Sequence, residues 1–571
     1  MFNHLPWGSK ILRSLRRIVF RLMAPVKRIH PKLYPYAVLA AVVVCAGILS
    51  FYGLGNHAFW EDEANTALFG RNLIRFGSLT AWDGTNLIGY RAGAELDRNL
   101  KNFYMPPLQY YAAALGIYLF GETNLGGRII FLLAGLAALV AVALWAKWHF
   151  GKMVPWHLAP LAAAFSTAYL LYIRQCRYYA LAAFFSAGLL AAFSYKADTG
   201  LKGRIALLAG ASLAACLVFT NYLNAAALFG SLPLFFLLRR YRTRDHYGLF
   251  AVISAVALVS GIFILTRSNP LHAGIPAGDP TPFFTRIFML GALHLKDLAR
   301  FEFIPAALLP VLAGPFISRR LREFRPAAAE CLFLMGFMAV YIAILVSFSP
   351  QPAHMAAMAD MRYLVPLILI GSVLILYTLQ ILWFLSRPVA VAIAVLLFFS
   401  NALYLSALTG QPHRSTLWEY ISENRMGYKT GTEAVVEFLR TVRPGSTVRI
   451  IPPSMTYPAM FYVPGLHYIC QLDPDKDVAA AIRPQLPDYV FCGKAAADIL
   501  IIGGIQPVNF YYIKSLRPHE YRLLKILDSD WRDCSRPEIP QHCFGPPDVT
   551  YEISAFERIR DSRLSGASIR R

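Results

Sequence analysis

Apolar residues along this chain come in long unbroken runs rather than in alternation. Eleven of them approach or reach the roughly 20 residues needed to cross a hydrocarbon core. They are 35–54, 126–146, 155–173, 178–195, 204–220, 222–238, 247–266, 301–317, 330–348, 363–385 and 388–409. The run at 301–317 is short and rich in proline. A further run, 106–120, opens with Pro106-Pro107 and is too short to cross comfortably, so it is predicted to lie along the membrane surface. After residue 410 the pattern changes to short apolar stretches between Pro and charged residues. Val448-Arg449-Ile450-Ile451 and Asp498-Ile499-Leu500-Ile501-Ile502 read as strands, and 431–439 opens like a helix. The roughly 160 residues of this tail suffice for one small α/β domain. The expectation is an α-helical polytopic membrane protein: a tail 1–34, about 11 transmembrane helices plus an interfacial helix over 35–409, and an α/β domain over 410–571.

Charge decides which side each loop occupies. Only 15% of the 571 residues are charged and 57% are hydrophobic, whereas soluble proteins carry about 25% charged residues. The net charge of +22 is spread over short basic runs between the spans, which excludes a soluble nucleic-acid-binding face and fits the positive-inside pattern. The first 34 residues carry eight Lys and Arg and no acidic residue, so they are placed in the cytoplasm. With 106–120 on the surface, Lys147/Lys152, Lys196/Lys202/Arg204, Arg239–Arg244, Arg319–Arg322 and Arg387 all fall on that same side. Segments 55–125, 174–177, 267–300 and 349–362, and everything after 410, then lie outside. The first run lacks a small-residue cleavage site and is an anchor rather than a removed signal.

Cysteines agree with that sidedness. Cys45, Cys176, Cys216 and Cys331 lie in or beside spans, where single thiols are ordinary packing. Cys470, Cys492, Cys534 and Cys543 lie in the tail and are disulfide candidates, with three possible connectivities. A zinc site is the competing reading, but no Cys-x-x-Cys spacing occurs. The outward segments hold no Asn-x-Ser/Thr acceptor, which favours a bacterial cytoplasmic membrane, with the tail in the periplasm.

Candidate chemistry gathers in the outward segments. Asp62-Glu63 follows the first span at once, in Phe59-Trp60-Glu61-Asp62-Glu63-Ala64. Carboxylates at a membrane surface cost solvation energy unless they stay hydrated, bind a cation or move protons. The same loop continues to Asn102-Phe103-Tyr104-Met105-Pro106-Pro107-Leu108, then to Leu119-Phe120-Gly121 and Arg128 at the start of the next span. Arg174-x-x-Arg177-Tyr178 and Arg362-Tyr363-Leu364-Val365-Pro366 stand at other outward span ends. In order and sidedness this set resembles the GT-C glycosyltransferases, in particular the protein O-mannosyltransferase, aminoarabinose (lipid A) transferase and RgtA-B-C-D-like branch. The resemblance covers roughly residues 50–370 and includes the tail only as a membrane-anchored outer domain.

The resemblance implies an inverting transfer of a sugar from a polyprenyl-phosphate donor to a hydroxyl of an envelope glycan, lipid or protein, at the outer face. Asp62 is then the carboxylate that takes the acceptor proton, with Glu63 assisting. Arg174, Arg177, Arg362 and Lys101 are the cations for the donor phosphate, a group Arg grips bidentately. Snorkelling to lipid head groups is the alternative role for the arginines, and solvated loop charge for Lys101. Tyr104, Tyr178 and Tyr363 are the substrate-contact candidates. Some relatives place a divalent metal near this carboxylate, and Asp62, His57 and His354 are the candidates for Mg²⁺ or Mn²⁺ here. Two departures are an extra Glu61 and the absence of a Lys before Pro-Pro. Residues 267–300, rich in Gly and Pro, read as a hinge-like loop able to close over donor. A ligase or polymerase using a diphosphate-linked glycan, and a non-catalytic flippase or envelope assembly protein, are the competing classes. A flippase would carry ionisable residues deep in its spans, and these interiors are nearly free of them.

Overall fold

Each apolar run becomes helix. The computed structural model describes residues 30–89, 96–97, 99–102, 105–195, 201–267, 281–317, 325–356, 359–405, 417–425, 429–451, 453–469, 486–490, 497–503, 520–527, 529 and 552–559. In chain order the helices are α1 (Tyr34–Phe51), α2 (Glu61–Phe76), α3 (Leu108–Phe120), α4 (Asn124–Phe150), α5 (Leu161–Ala164), α6 (Thr167–Ile173), α7 (Tyr179–Ser194), α8 (Leu201–Val218) and α9 (Tyr222–Ser231). They continue with α10 (Arg244–Arg267), α11 (Phe283–Phe301), α12 (Ile304–Ile317), α13 (Arg325–Phe348), α14 (Val365–Leu385) and α15 (Arg387–Phe399). The tail adds α16 (Leu417–Arg425), α17 (Gly431–Leu439) and α18 (Thr456–Tyr462).

Six of these helices are long and apolar enough to cross a membrane alone. The run at 155–173 is not one straight helix: it breaks by 82° between Ala164 and Thr167, which makes a seventh crossing if the pair counts as one. Ser166 sits at the break, where its hydroxyl caps α6 through the Tyr169 N–H and donates to both Glu302 oxygens at 3.0 Å. Helices α7, α12 and α15, and α9 with its 3-10 extension, are apolar but shorter. α14 is almost wholly enclosed by its neighbours, and its Ser372 and Thr378 hydroxyls donate to the carbonyls of Ala159 and Ala307. The chain is thus a helical membrane protein built round α14.

α3, with 13 residues, is a short apolar helix within the run 106–120. It packs on α2 and α4 so closely that a Cβ on Gly116 would stand 2.2 Å from the Gly126 carbonyl oxygen. Segment 267–300 departs from the expected loop. Its second part, from Phe283, is a helix whose charged face points inward, while 268–280 lies outside the described residues.

The tail forms a five-stranded sheet in the order β2-β1-β3-β5-β4, with β1 (Thr447–Ile451), β2 (His467–Tyr468), β3 (Ile499–Gly503), β4 (Tyr521–Leu527) and β5 (Ile553–Arg558). β1 pairs parallel with β2 and β3; β5 runs antiparallel between β3 and β4. Both strands expected from sequence lie in it, and Thr430 with Glu433 makes the capping box that opens α17. Cys470, Cys492, Cys534 and Cys543 lie outside the described residues, and Cys45, Cys176, Cys216 and Cys331 are free thiols.

The first loop and the tail are joined. Arg71 donates to the Phe461 carbonyl, and the Asn86 amide bridges Leu466 O and Tyr468 N–H at 2.9 and 2.8 Å. The N–H groups of Ala58 and Phe59 reach Glu433 and the Tyr462 hydroxyl at 3.1 and 2.8 Å. The acidic residues therefore sit between the bundle and the tail.

Candidate active site

The acidic triplet Glu61-Asp62-Glu63 is the first turn of α2, not a hydrated loop. Negative side chains are favoured there because the unpaired N–H groups give a helix start a partial positive charge. Successive residues on a helix point about 100° apart, so Asp62 and Glu63 meet different surroundings.

Glu63 is fully buried and faces Arg128. Arg128 Nε and Nη2 donate to its two oxygens at 2.8 and 2.6 Å, and the Cys176 N–H donates to Oε1 at 2.8 Å. Arg128 also donates to the carbonyls of Leu54, His57 and Ala58, and its guanidinium lies 5.1 Å over the Phe59 ring. This pair ties the end of α1, the start of α2, the start of α4 and the α6–α7 turn together. Glu63 organises the site, with both oxygens occupied.

Asp62 opens to the other side. Its Oδ2 lies 3.3 Å from Arg362 Nη1 and 3.6 Å from Arg177 Nη2, with the side chain 13% exposed. Arg177 also donates to Thr66 Oγ1 at 3.0 Å, and its Nε is buried with no partner among the described residues. Arg362 is gripped by Asp360, Nε to Oδ1 at 2.5 Å and Nη2 to Oδ2 at 2.9 Å. Burial alone would weaken both guanidinium charges, but Asp62 beside Arg177 and Asp360 beside Arg362 raise both above the ordinary arginine value. Tyr178 and Tyr363 stack near this group, ring centres 6.2 Å apart, under the same two arginines.

The structure thus brings Asp62, Arg177, Arg362, Tyr178 and Tyr363 together. Arg174 turns elsewhere: it donates to the Tyr420 hydroxyl at 2.9 Å and to Asn424, pinning α16 to the α6–α7 turn. Lys101 is an exposed residue whose backbone N–H closes a turn on Asp97. Tyr104 lies outside the described residues. His57 faces Glu433, Nδ1 to Oε1 3.7 Å, and His354 is exposed in the turn Ala353–Met355. Among the described residues no three His, Cys, Asp or Glu side chains gather for a metal. Asp62 has two guanidinium groups for neighbours, which repel a cation, so the described residues around it do not make a divalent-metal set. Asp360 and Arg128 are the partners that the sequence did not assign, although Asp360 stands only two places before Arg362.

No protein-family model and no curated protein sequence matches the chain. Solved structures do. ArnT from Cupriavidus metallidurans, in a crystal structure bound to undecaprenyl phosphate, superposes with a TM-score of 0.50 at 15% identity, covering 91% of this chain and 97% of that one. Its apo structure gives 0.51 at 14% identity, over 90% and 97%. The chain shares the fold of these two structures. At such identity the likeness carries the architecture and no residue-level chemistry. The carboxylate at the start of α2 and the arginines near two later helix ends meet in one group.

Proposed function

We propose that this chain is a glycosyltransferase that moves a sugar from a polyprenyl phosphate to a hydroxyl acceptor. The observation that carries the reading is Asp62 in contact with Arg177 and Arg362 at the membrane end of a GT-C fold. A donor phosphate arriving at these arginines competes with Asp62 for their N–H groups and frees its carboxylate. The acceptor hydroxyl then attacks the anomeric carbon from the face opposite the phosphate. A new C–O bond forms, the proton passes to Asp62, and the old C–O bond breaks with its electrons kept by the phosphate oxygen. Arg177 and Arg362 stabilise that developing charge, and the attack geometry inverts the anomeric centre. The binding of undecaprenyl phosphate by an ArnT of the same fold supports this donor class. The basic loops support a cytoplasmic opposite end, and with it a site and tail on the periplasmic side of a bacterial inner membrane; a reporter fused after residue 415 that reads cytoplasmic overturns this.

The test uses purified full-length protein in lipid nanodiscs with an undecaprenyl-phosphate-linked sugar, and mass spectrometry follows released undecaprenyl phosphate. Asp62→Asn keeps size and hydrogen bonding but removes the base, so the release rate per folded molecule falls about 10²–10⁴-fold, beyond any loss of stability from removing the charge beside Arg177. Normal release by Asp62→Asn, or none by the native protein with either a sugar or water as acceptor, sinks the reading.

A further inference from the structure

Helix α11 has its polarity reversed for a helix bathed in water. Arg286, His294 and Asp297 are at most 2% exposed, whereas Phe284 and Phe288 are 82% and 77% exposed. The inward charges are used. Arg286 donates to the carbonyls of Ser349 and Gln351, and Asp297 accepts the Ala359 N–H at 2.7 Å. The helix therefore grips both ends of the segment that joins α13 to α14. Ser349 directly follows Phe348, the last residue of α13, and Ala359 lies six places before Val365, the first of α14. A helix anchored at both points lies across two span ends, at the level where hydrocarbon meets water. Phe348 is itself 55% exposed, so the apolar face of α11 continues the lipid-facing surface of the bundle. Aromatic residues on such a face are the pattern of a helix lying in the interface plane.

We propose that α11 is seated in the membrane leaflet at the site end, its phenylalanines among phospholipid acyl chains, and that this seat sets the position of Arg362. The chain of contacts is short. Asp297 holds Ala359, the next residue Asp360 grips Arg362 through two bonds, and Arg362 meets Asp62. Residues of α11 act on the reaction only through Arg362, and the activity arm below rests on the transferase reading.

Two measurements on the full chain in phosphatidylethanolamine–phosphatidylglycerol nanodiscs test this. First, p-benzoylphenylalanine replaces Phe284 or Phe288, with Leu523 on the tail sheet as control, and intact mass is read after irradiation. Phospholipid adducts at 284 and 288 and none at 523 are expected; adducts to a second copy, or none, overturn the seat. Second, Phe284→Ser with Phe288→Ser lowers kcat/KM for the polyprenyl donor about 10²-fold, the effect of displacing a reacting group by about 1 Å, while the Leu pair keeps native activity. In an Arg362→Lys background the Ser pair adds little, because both act on one group. A full further loss there overturns the coupling. Lipid adducts on a protein that moves no sugar sink the transferase reading and uphold the seat; sugar transfer without lipid adducts sinks the seat alone.

Discussion

Removing Glu63 tests the division of labour between the two neighbouring carboxylates. Arg128 is 4% exposed, so Glu63→Ala leaves a buried guanidinium with only the carbonyls of Leu54, His57 and Ala58 for partners. It also leaves the Cys176 N–H unpaired. Breaking a buried pair by deleting one member costs about 3–5 kcal/mol. Glu63→Gln keeps one acceptor for Cys176 or Arg128, and its cost falls to about 1–3 kcal/mol. With roughly 2–4 °C lost per kcal/mol in domains of 150–250 residues, Glu63→Ala melts about 6–20 °C lower. Glu63→Leu combined with Arg128→Met removes both charges but still orphans the three carbonyls and the Cys176 N–H. It therefore recovers only the electrostatic part, a coupling of about 2–3 kcal/mol in the double-mutant cycle. The assay is a thermal melt in detergent beside the release rate per folded molecule. A Glu63→Ala melt equal to the native one, or a cycle with no coupling, refutes the organising role. So does a Glu63→Gln variant that folds fully yet loses the rate that Asp62→Asn loses.

Three other outcomes follow from the contacts described. Tyr420→Phe removes the hydroxyl that accepts from Arg174 and donates to Leu49 O, so α16 loosens by about 1–3 kcal/mol; faster proteolysis between α15 and α17 reads this. Burial pushes the Glu433 carboxyl up, but the nearby His57 and the hydrogen bonds from the Thr430 and Ala58 N–H groups hold it below the ordinary value of 4.5. Its folded-state value is depressed, so its contribution is full above the unfolded value and is lost as pH falls through the folded one; hydrogen exchange at Ala58 and Phe59 should quicken only below about pH 4.5 and stay flat in Glu433→Gln. Gly116→Ala puts a Cβ against backbone, 2.2 Å from Gly126 O, and costs at least about 1–3 kcal/mol by overpacking α3 on α4; an unchanged melt would contradict that close approach.

Apolar runs exposed the helices in the sequence because burial in lipid demands them, and the short helix within 106–120 was legible from its length and its proline start. α11 was not. Its Arg286, Leu290, His294 and Asp297 recur at helical spacing, but the charges depress any hydropathy window and the Gly and Pro of 274–282 dominate the segment. Only the fold reveals that its polar side faces inward. The break at Ser166 was hidden for the converse reason, since residues on both sides are apolar. Asp62, Arg177 and Arg362 were legible as a set because membrane sidedness alone brings span ends to one plane. That Glu63 is locked by Arg128, Arg174 by α16 and Arg362 by Asp360 depends on side-chain direction within that plane, which hydropathy does not encode.

The hydrogen bonds between the first loop and the tail also set a clock on biosynthesis. Asn86 and its partner Leu466 are 380 residues apart. At about 5–20 residues per second, Asn86 waits roughly 20–80 s for that partner to be made. Arg71, whose acceptor Phe461 arrives equally late, waits as long. During this interval the loop bearing Asp62 stands at the membrane with buried-to-be polar groups still hydrated. The first loop of the newborn bundle is therefore without these tethers until the tail arrives.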